Sequence, residues 1–115
     1  MPDRLRDFRL VLTTVDSAER AKRIAHALVE RRLAACVNVV GPVQSTYRWK
    51  GQIESDEERL LLIKTRQARL AELRDAIREL HTYDVPEILS LLVDDGDARY
   101  LEWLASCVGE SSPGV

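Results

Sequence analysis

The segment from Ala35 to Ile63 constrains the fold most. At its centre lies Lys50-Gly51, a dipeptide suited to a tight turn because glycine takes positive φ without steric cost. Ala35–Val40 reads as a strand leading into this turn. Gly41-Pro42 interrupts it, since proline cannot donate to a ladder and belongs at an edge, a bulge or a bend. Val43, Ser45, Tyr47 and Trp49 then restore a period of two. The returning strand starts at Gln52, polar through Glu58 and solidly apolar from Leu60 to Ile63. The half nearest the turn carries Tyr47, Trp49 and Ile53 among carboxylates. A strand pair this long outruns a small helix-covered sheet, so it reads as an arm that leaves its own domain and needs a partner.

Helix and strand signals flank this hairpin symmetrically. Phe8–Val15 is β-branched and apolar, a central strand. Asp16 with Glu19 three residues on has the form of a capping box. Ala21, Ile24, Ala25, Leu28 and Val29 form one apolar stripe, predicting a helix from about Ser17 to about Arg32. Leu70, Leu73, Ile77 and Leu80 predict a second helix over Gln67–His81. Val85–Val93 is the fourth strand, with Pro86 at its start or on an edge. After the turn Asp94-Asp95-Gly96, Asp97 caps a short last helix, on which Tyr100, Trp103, Leu104 and Cys107 share a face, with Gly109 as C-cap. The order β-α-β-β-α-β plus a helix is the ferredoxin-like pattern of the α+β class: one antiparallel sheet with both main helices on one face. Strands one and four are apolar on both faces, so the uncovered face is expected to self-associate. One domain spans residues 1–115, with a core over about 8–107 and frayed ends at Met1–Asp7 and Glu110–Val115.

Composition removes several functions. Seventeen basic and nineteen acidic residues give a net charge of −2, so no basic excess drives sequence-independent nucleic-acid binding. No apolar run approaches the roughly 20 residues that span a bilayer. Met1–Asp7 lacks an apolar core, so the expectation is no secretory signal and a cytoplasmic protein. Two cysteines form no disulfide framework or zinc pattern and read as reduced thiols. The phosphate-loop, dinucleotide-binding, nucleophile-elbow and zincin motifs are all absent. With two histidines, a histidine-rich metal site within one chain is excluded.

Several residues carry chemistry nonetheless. Cys36, after two alanines, reads either as a small core residue or as a soft thiolate for copper or zinc. Cys107 reads as packing and His26 as surface. His81 ends a helix, where the dipole favours an imidazolium, and Thr82, Tyr83, Asp84 and Glu87 follow closely. On the returning strand Glu54, Asp56 and Glu58 share one face, and Glu57 takes the other with Ile53 and Ser55. This acidic run reads as a solvated edge, a hard-cation or general-base site, or ion pairing between subunits. Lys64, isolated on an apolar strand, needs a counter-charge if buried, with Glu57 or Glu87 as candidates.

Taken in order, Ala35-Cys36-Val37-Asn38, Ser45-Thr46-Tyr47-Arg48-Trp49-Lys50-Gly51-Gln52-Ile53-Glu54, Glu57-Glu58, Lys64-Thr65, His81-Thr82-Tyr83-Asp84-Val85-Pro86-Glu87-Ile88 and Tyr100-Leu101-Glu102-Trp103-Leu104 resemble the CutA family of divalent-cation tolerance proteins over about residues 8 to 107. The resemblance implies a ferredoxin-like fold in a tight homotrimer, similar in architecture to the PII signalling proteins, with hairpin arms extending sheets across subunit boundaries. It implies an association with tolerance to copper and other divalent cations, with no assigned reaction. It also implies a polar pocket near the subunit contacts, drawing on Trp49, Glu57, Lys64, His81, Tyr83 and Glu87, and a copper-ligating role for Cys36. Two positions depart from the family loop, Thr82 in place of proline and Asp84 in place of glutamate. The further cysteine ligands of some relatives are missing, so thiolate-only coordination requires three Cys36 residues meeting at a trimer axis. Three readings follow: a non-enzymatic metal-binding trimer with Cys36 and His81 as metal ligands; a PII-like adaptor that binds a small molecule in the intersubunit pocket; and an enzyme with Glu57 or Glu87 as base and His81 as acid.

Overall fold

A computed structural model describes residues 6–109. The first strand, β1 (Phe8–Val15), is followed by helix α1 (Ala18–Glu30), the two long strands β2 (Cys36–Trp49) and β3 (Gln52–Arg66), helix α2 (Leu70–Leu80), the short strand β4 (Leu89–Leu92) and helix α3 (Ala98–Cys107). The sheet order is β2-β3-β1-β4 with every neighbour antiparallel, as the β-α-β-β-α-β pattern requires. Alternation puts Val11, Thr13 and Val15 of β1 beside Leu61, Ile63 and Thr65 of β3 on the face that the helices cover, and all six are buried. Ala21, Ile24 and Leu28 from α1 and Leu73, Ala76 and Ile77 from α2 close that core. Within it the Thr65 hydroxyl donates to the Leu33 carbonyl at 2.7 Å, which fixes the chain as it leaves α1.

Several local expectations are corrected. The α1 N-cap is Ser17, whose Oγ accepts from the Arg20 N–H at 3.0 Å; Asp16 instead accepts from the Thr82 hydroxyl at 3.2 Å. The second helix opens with a single 3-10 turn, Gln67–Arg69, before α2 proper. Gly41-Pro42, by contrast, takes one of the three placements expected for it, a bulge. The peptide is cis, and β2 runs through it with a bulge, so Val40 faces Leu60 while Val43 faces Glu58. At the turn both Lys50 (φ 52°) and Gly51 (φ 79°) take the left-handed conformation, matching a type I′ hairpin. The fourth strand is confined to Leu89–Leu92, because the preceding loop is tied elsewhere. Asp7 is ordered: its carboxylate accepts from Arg66 at 2.8 Å, and its carbonyl accepts from the Gln67 N–H. The rest of the expected frayed ends, residues 1–5 and 110–115, lies outside the described residues.

The hairpin arm projects from this body. Gln52–Glu57 are all exposed, and the described chain is 49 Å long but 22 Å thin. Its radius of gyration, 15.0 Å, exceeds the about 13 Å of a compact chain this size. The long strand pair inferred from polarity is therefore an arm in the folded chain.

Candidate functional site

The sheet face away from α1 and α2 divides into three zones along β1. At the Phe8 end, α3 lies across it: Leu104 and Val108 pack with Phe8, flanked by Val93, Leu101 and Ala105. Asp97 caps that helix by accepting from the Tyr100 N–H at 3.1 Å. The Arg32 guanidinium donates to the Ser106 carbonyl at 2.9 Å, and the Arg32 carbonyl accepts from the Gly109 N–H at 2.8 Å, tying the helix end to the body.

The middle zone has no cover among the described residues. One row across the sheet reads Cys36, Lys64, Leu10, Leu91, and the next reads Asn38, Leu62, Leu12, Leu89. Leu89 and Leu91, on the edge strand β4, are 54% and 46% exposed, and with the central Leu10, Leu12 and Leu62 they make a contiguous apolar surface. Lys64 stands among them, its ammonium donating to neutral acceptors, Asn38 Oδ1 and, at 3.6 Å, Cys36 Sγ. The expected counter-charges, Glu57 and Glu87, do not pair with it. Cys36 and Cys107 are both free thiols, half-buried.

The third zone begins where β4 stops. The loop after α2 folds back over the Thr14 end of β1. His81 Nε2–H donates to the Thr14 carbonyl at 2.7 Å, and its Nδ1 accepts from the Tyr83 N–H at 3.2 Å. With its carbonyl partner on one side and the amide on the other, the ring is a neutral tautomer holding the loop, and a metal on His81 would have to displace one of these bonds. Asp16 accepts from the Thr82 hydroxyl, so a hydrogen bond anchors the loop. So held, Tyr83 leans against the His81 ring (centroids 4.6 Å apart) and its hydroxyl donates to Glu58 Oε2 at 2.6 Å. Glu58 is 5% exposed. On the arm side, the Tyr47 hydroxyl donates to Asp56.

These groups surround a cavity of about 540 Å³ lined by Thr14, Ser45, Tyr47, Trp49, Glu58 and Tyr83, with Asp84 and Glu87 from the loop. The structure thus brings together Trp49, Tyr83 and Glu87 of the expected site residues. Glu57 points away from them, within 3.9 Å of Arg59 on the opposite face of the arm. The carboxylate in the cavity is its neighbour Glu58. Alternation alone separates the two, but it does not show that Tyr83 arrives from a distant loop to cover Glu58. Cys36 and His81 do not converge either. Cys36 lies in the Leu10 row and His81 contacts Thr14; the four-residue offset amounts to about 13 Å along the strand. Among the described residues no group of three or more His, Cys, Asp or Glu side chains is placed to hold a metal ion.

Two phenols are held protonated. The hydrogen bond to the Asp56 carboxylate pushes Tyr47 up to about 12, with desolvation and the surrounding carboxylates adding to it. Burial first, and then the bond to Glu58, push Tyr83 higher still. A raised phenol stabilises the fold fully below the unfolded tyrosine pKa near ~10 and loses that contribution as pH rises through the folded value. An absorbance titration is therefore expected to show a phenolate transition centred near about 12 that Tyr47→Phe removes. A Tyr47 midpoint near ~10 would mean the Asp56 bond does not form in solution.

The comparisons with known proteins agree with this architecture. The family model described as CutA1 divalent ion tolerance protein matches residues 9–107. The divalent-cation tolerance protein CutA of Thermus thermophilus is 48% identical over 100 residues, 87% of this chain and 97% of that protein. The chloroplastic CutA protein of Arabidopsis thaliana is 45% identical over 83% of this chain, but the chain spans only 52% of its length. Among solved structures, CutA1 from Oryza sativa superimposes with a TM-score of 0.90 at 39% identity, covering 95% of this chain and 100% of that one. The Thermus thermophilus protein gives a TM-score of 0.87 at 47% identity, covering 89% and 99%. With a family model matching residues 9–107, 48% identity to one relative over 87% of the chain, and solved structures superimposing at TM-scores of 0.87 and 0.90, the chain belongs to the CutA1 divalent ion tolerance family.

Proposed function

We propose that this chain works as a homotrimer that binds copper-like divalent cations where its copies meet, with no catalytic step. The observation that carries this reading is the bare middle zone: a leucine surface with one soft thiol, Cys36, set into it. Leucines this exposed favour burial against another copy, at about 25 cal/mol per Å² of apolar surface removed from water. The donor set of one chain does not fit a metal, since Cys36 stands alone beside the Lys64 ammonium and His81 has both nitrogens engaged. Cys36 residues contributed by several copies supply soft ligands suited to copper. The names of the relatives, divalent-cation tolerance proteins, point the same way. The free thiols fit a reducing, cytoplasmic setting, and no described helix is long and apolar enough to cross a membrane.

The test is copper titration of the purified oligomer under reducing conditions. Stoichiometric binding is expected for wild type, lost in Cys36→Ser and retained in His81→Ala, because His81 positions the loop and is not free to ligate. Weak, non-stoichiometric binding that is indifferent to Cys36→Ser would contradict the metal reading. A second reading then stands first: an adaptor similar to the PII proteins, binding a small molecule in the groove at the Thr14 end. Its support is that groove, whose 540 Å³ falls in the roughly 300–1,000 Å³ range of small-molecule sites.

A further inference from the structure

The groove at the Thr14 end has a one-sided chemistry. Glu58, Asp84 and Glu87 contribute carboxylates, and Tyr47, Trp49 and Tyr83 contribute aromatic faces. No lysine or arginine is among the residues that line it. Glu58 is the unusual member, 5% exposed with the neutral Tyr83 hydroxyl as its donor, and no described basic side chain pairs with it. A buried carboxylate without a counter-charge is costly, and a cation entering the groove would restore the balance. Aromatic faces beside it attract an ammonium group through their π quadrupoles, and Trp49 already holds the Lys50 ammonium 5.8 Å from its ring centroid. A bare metal ion fits less well, because among the described residues no three carboxylate, His or Cys side chains are grouped to hold one.

Resting on the groove reading above, we propose that this cavity binds a small organic cation through a substituted ammonium group, with Glu58 as the buried counter-charge and Trp49, Tyr47 and Tyr83 as the aromatic walls. The ammonium belongs to a free small molecule, so the groove must stay open to it in the oligomer.

The probe is choline, with its uncharged carbon isostere dimethylbutanol and inorganic phosphate as comparators, titrated into the full-length oligomer. The chain has two tryptophans, so Trp103→Phe leaves Trp49 as the sole indole reporter. Saturable change of Trp49 emission by choline is expected, with the isostere about tenfold weaker or worse. Glu58→Gln is expected to weaken choline by a similar factor at unchanged elution volume. Should that buried change unfold the chain, the exposed Glu87→Gln serves, with a loss of about threefold. Equal affinity for choline and its isostere would overturn the proposal. Phosphate binding without choline binding would leave the groove reading in place and remove the cation. No response to any probe would overturn both the cation proposal and the groove reading.

Discussion

Leu12→Glu is expected to convert the protein into a folded monomer. Leu12 sits at the centre of the uncovered face, opposite Leu62 on one side and Leu89 on the other. In a single chain that face is open, so a carboxylate there meets water and the helix-covered core is untouched. In an assembly it would be desolvated without a partner, at an effective cost of several kcal/mol. Each 1.4 kcal/mol is a factor of about ten in association, so the loss amounts to several orders of magnitude per contact. The check is sedimentation velocity beside far-UV circular dichroism: a single-chain species with unchanged secondary structure is expected. An assembly of wild-type size would show that the leucine face is not where copies meet.

Leu61→Ala is expected to destabilise the fold by about 2–5 kcal/mol. Leu61 is fully buried on the opposite face of the same sheet, one residue from Leu60 and Leu62 of the open face, in the core with Ile24, Leu28 and Ile77. Removing its branched end leaves a cavity between sheet and helices that neighbours locked in rotamers cannot fill. A domain of this size holds about 5–15 kcal/mol in total, so the loss is a large share. Association stabilises by mass action, so the comparison is made in the Leu12→Glu monomer by urea unfolding. A loss under about 1 kcal/mol would place Leu61 outside the core and reverse the assignment of the two faces.

Leu61 and Leu12 also show what the sequence makes legible. A period of two assigns residues to faces, and both helical stripes point at one of them, so the topology and the bare face follow from pattern alone. The arm follows from polarity, since Gln52–Glu58 has no apolar alternation to bury. Boundaries were less legible where two residues compete for one role. Asp16 and Ser17 are both good caps, and Asp16 is taken by Thr82, a partner 66 residues away. At Gly41-Pro42 the sequence leaves an edge, a bulge and a bend open, and only the ladder on either side selects the bulge. The site was legible in its residue types and not in its membership. Resemblance pointed to Glu57, whereas the cavity uses Glu58, because Tyr83 reaches it from a loop whose path is set by His81 on the Thr14 carbonyl. Such long-range hydrogen bonds leave no spacing in the sequence.

The most direct test of the central claim, that copies of the chain meet over the leucine face to form the functional unit, is the native mass of the wild-type protein at micromolar concentration. The account predicts a species of three times the 13.1 kDa chain mass, stable on dilution. A mass of one chain, with Leu10, Leu12, Leu89 and Leu91 left in water, would contradict it.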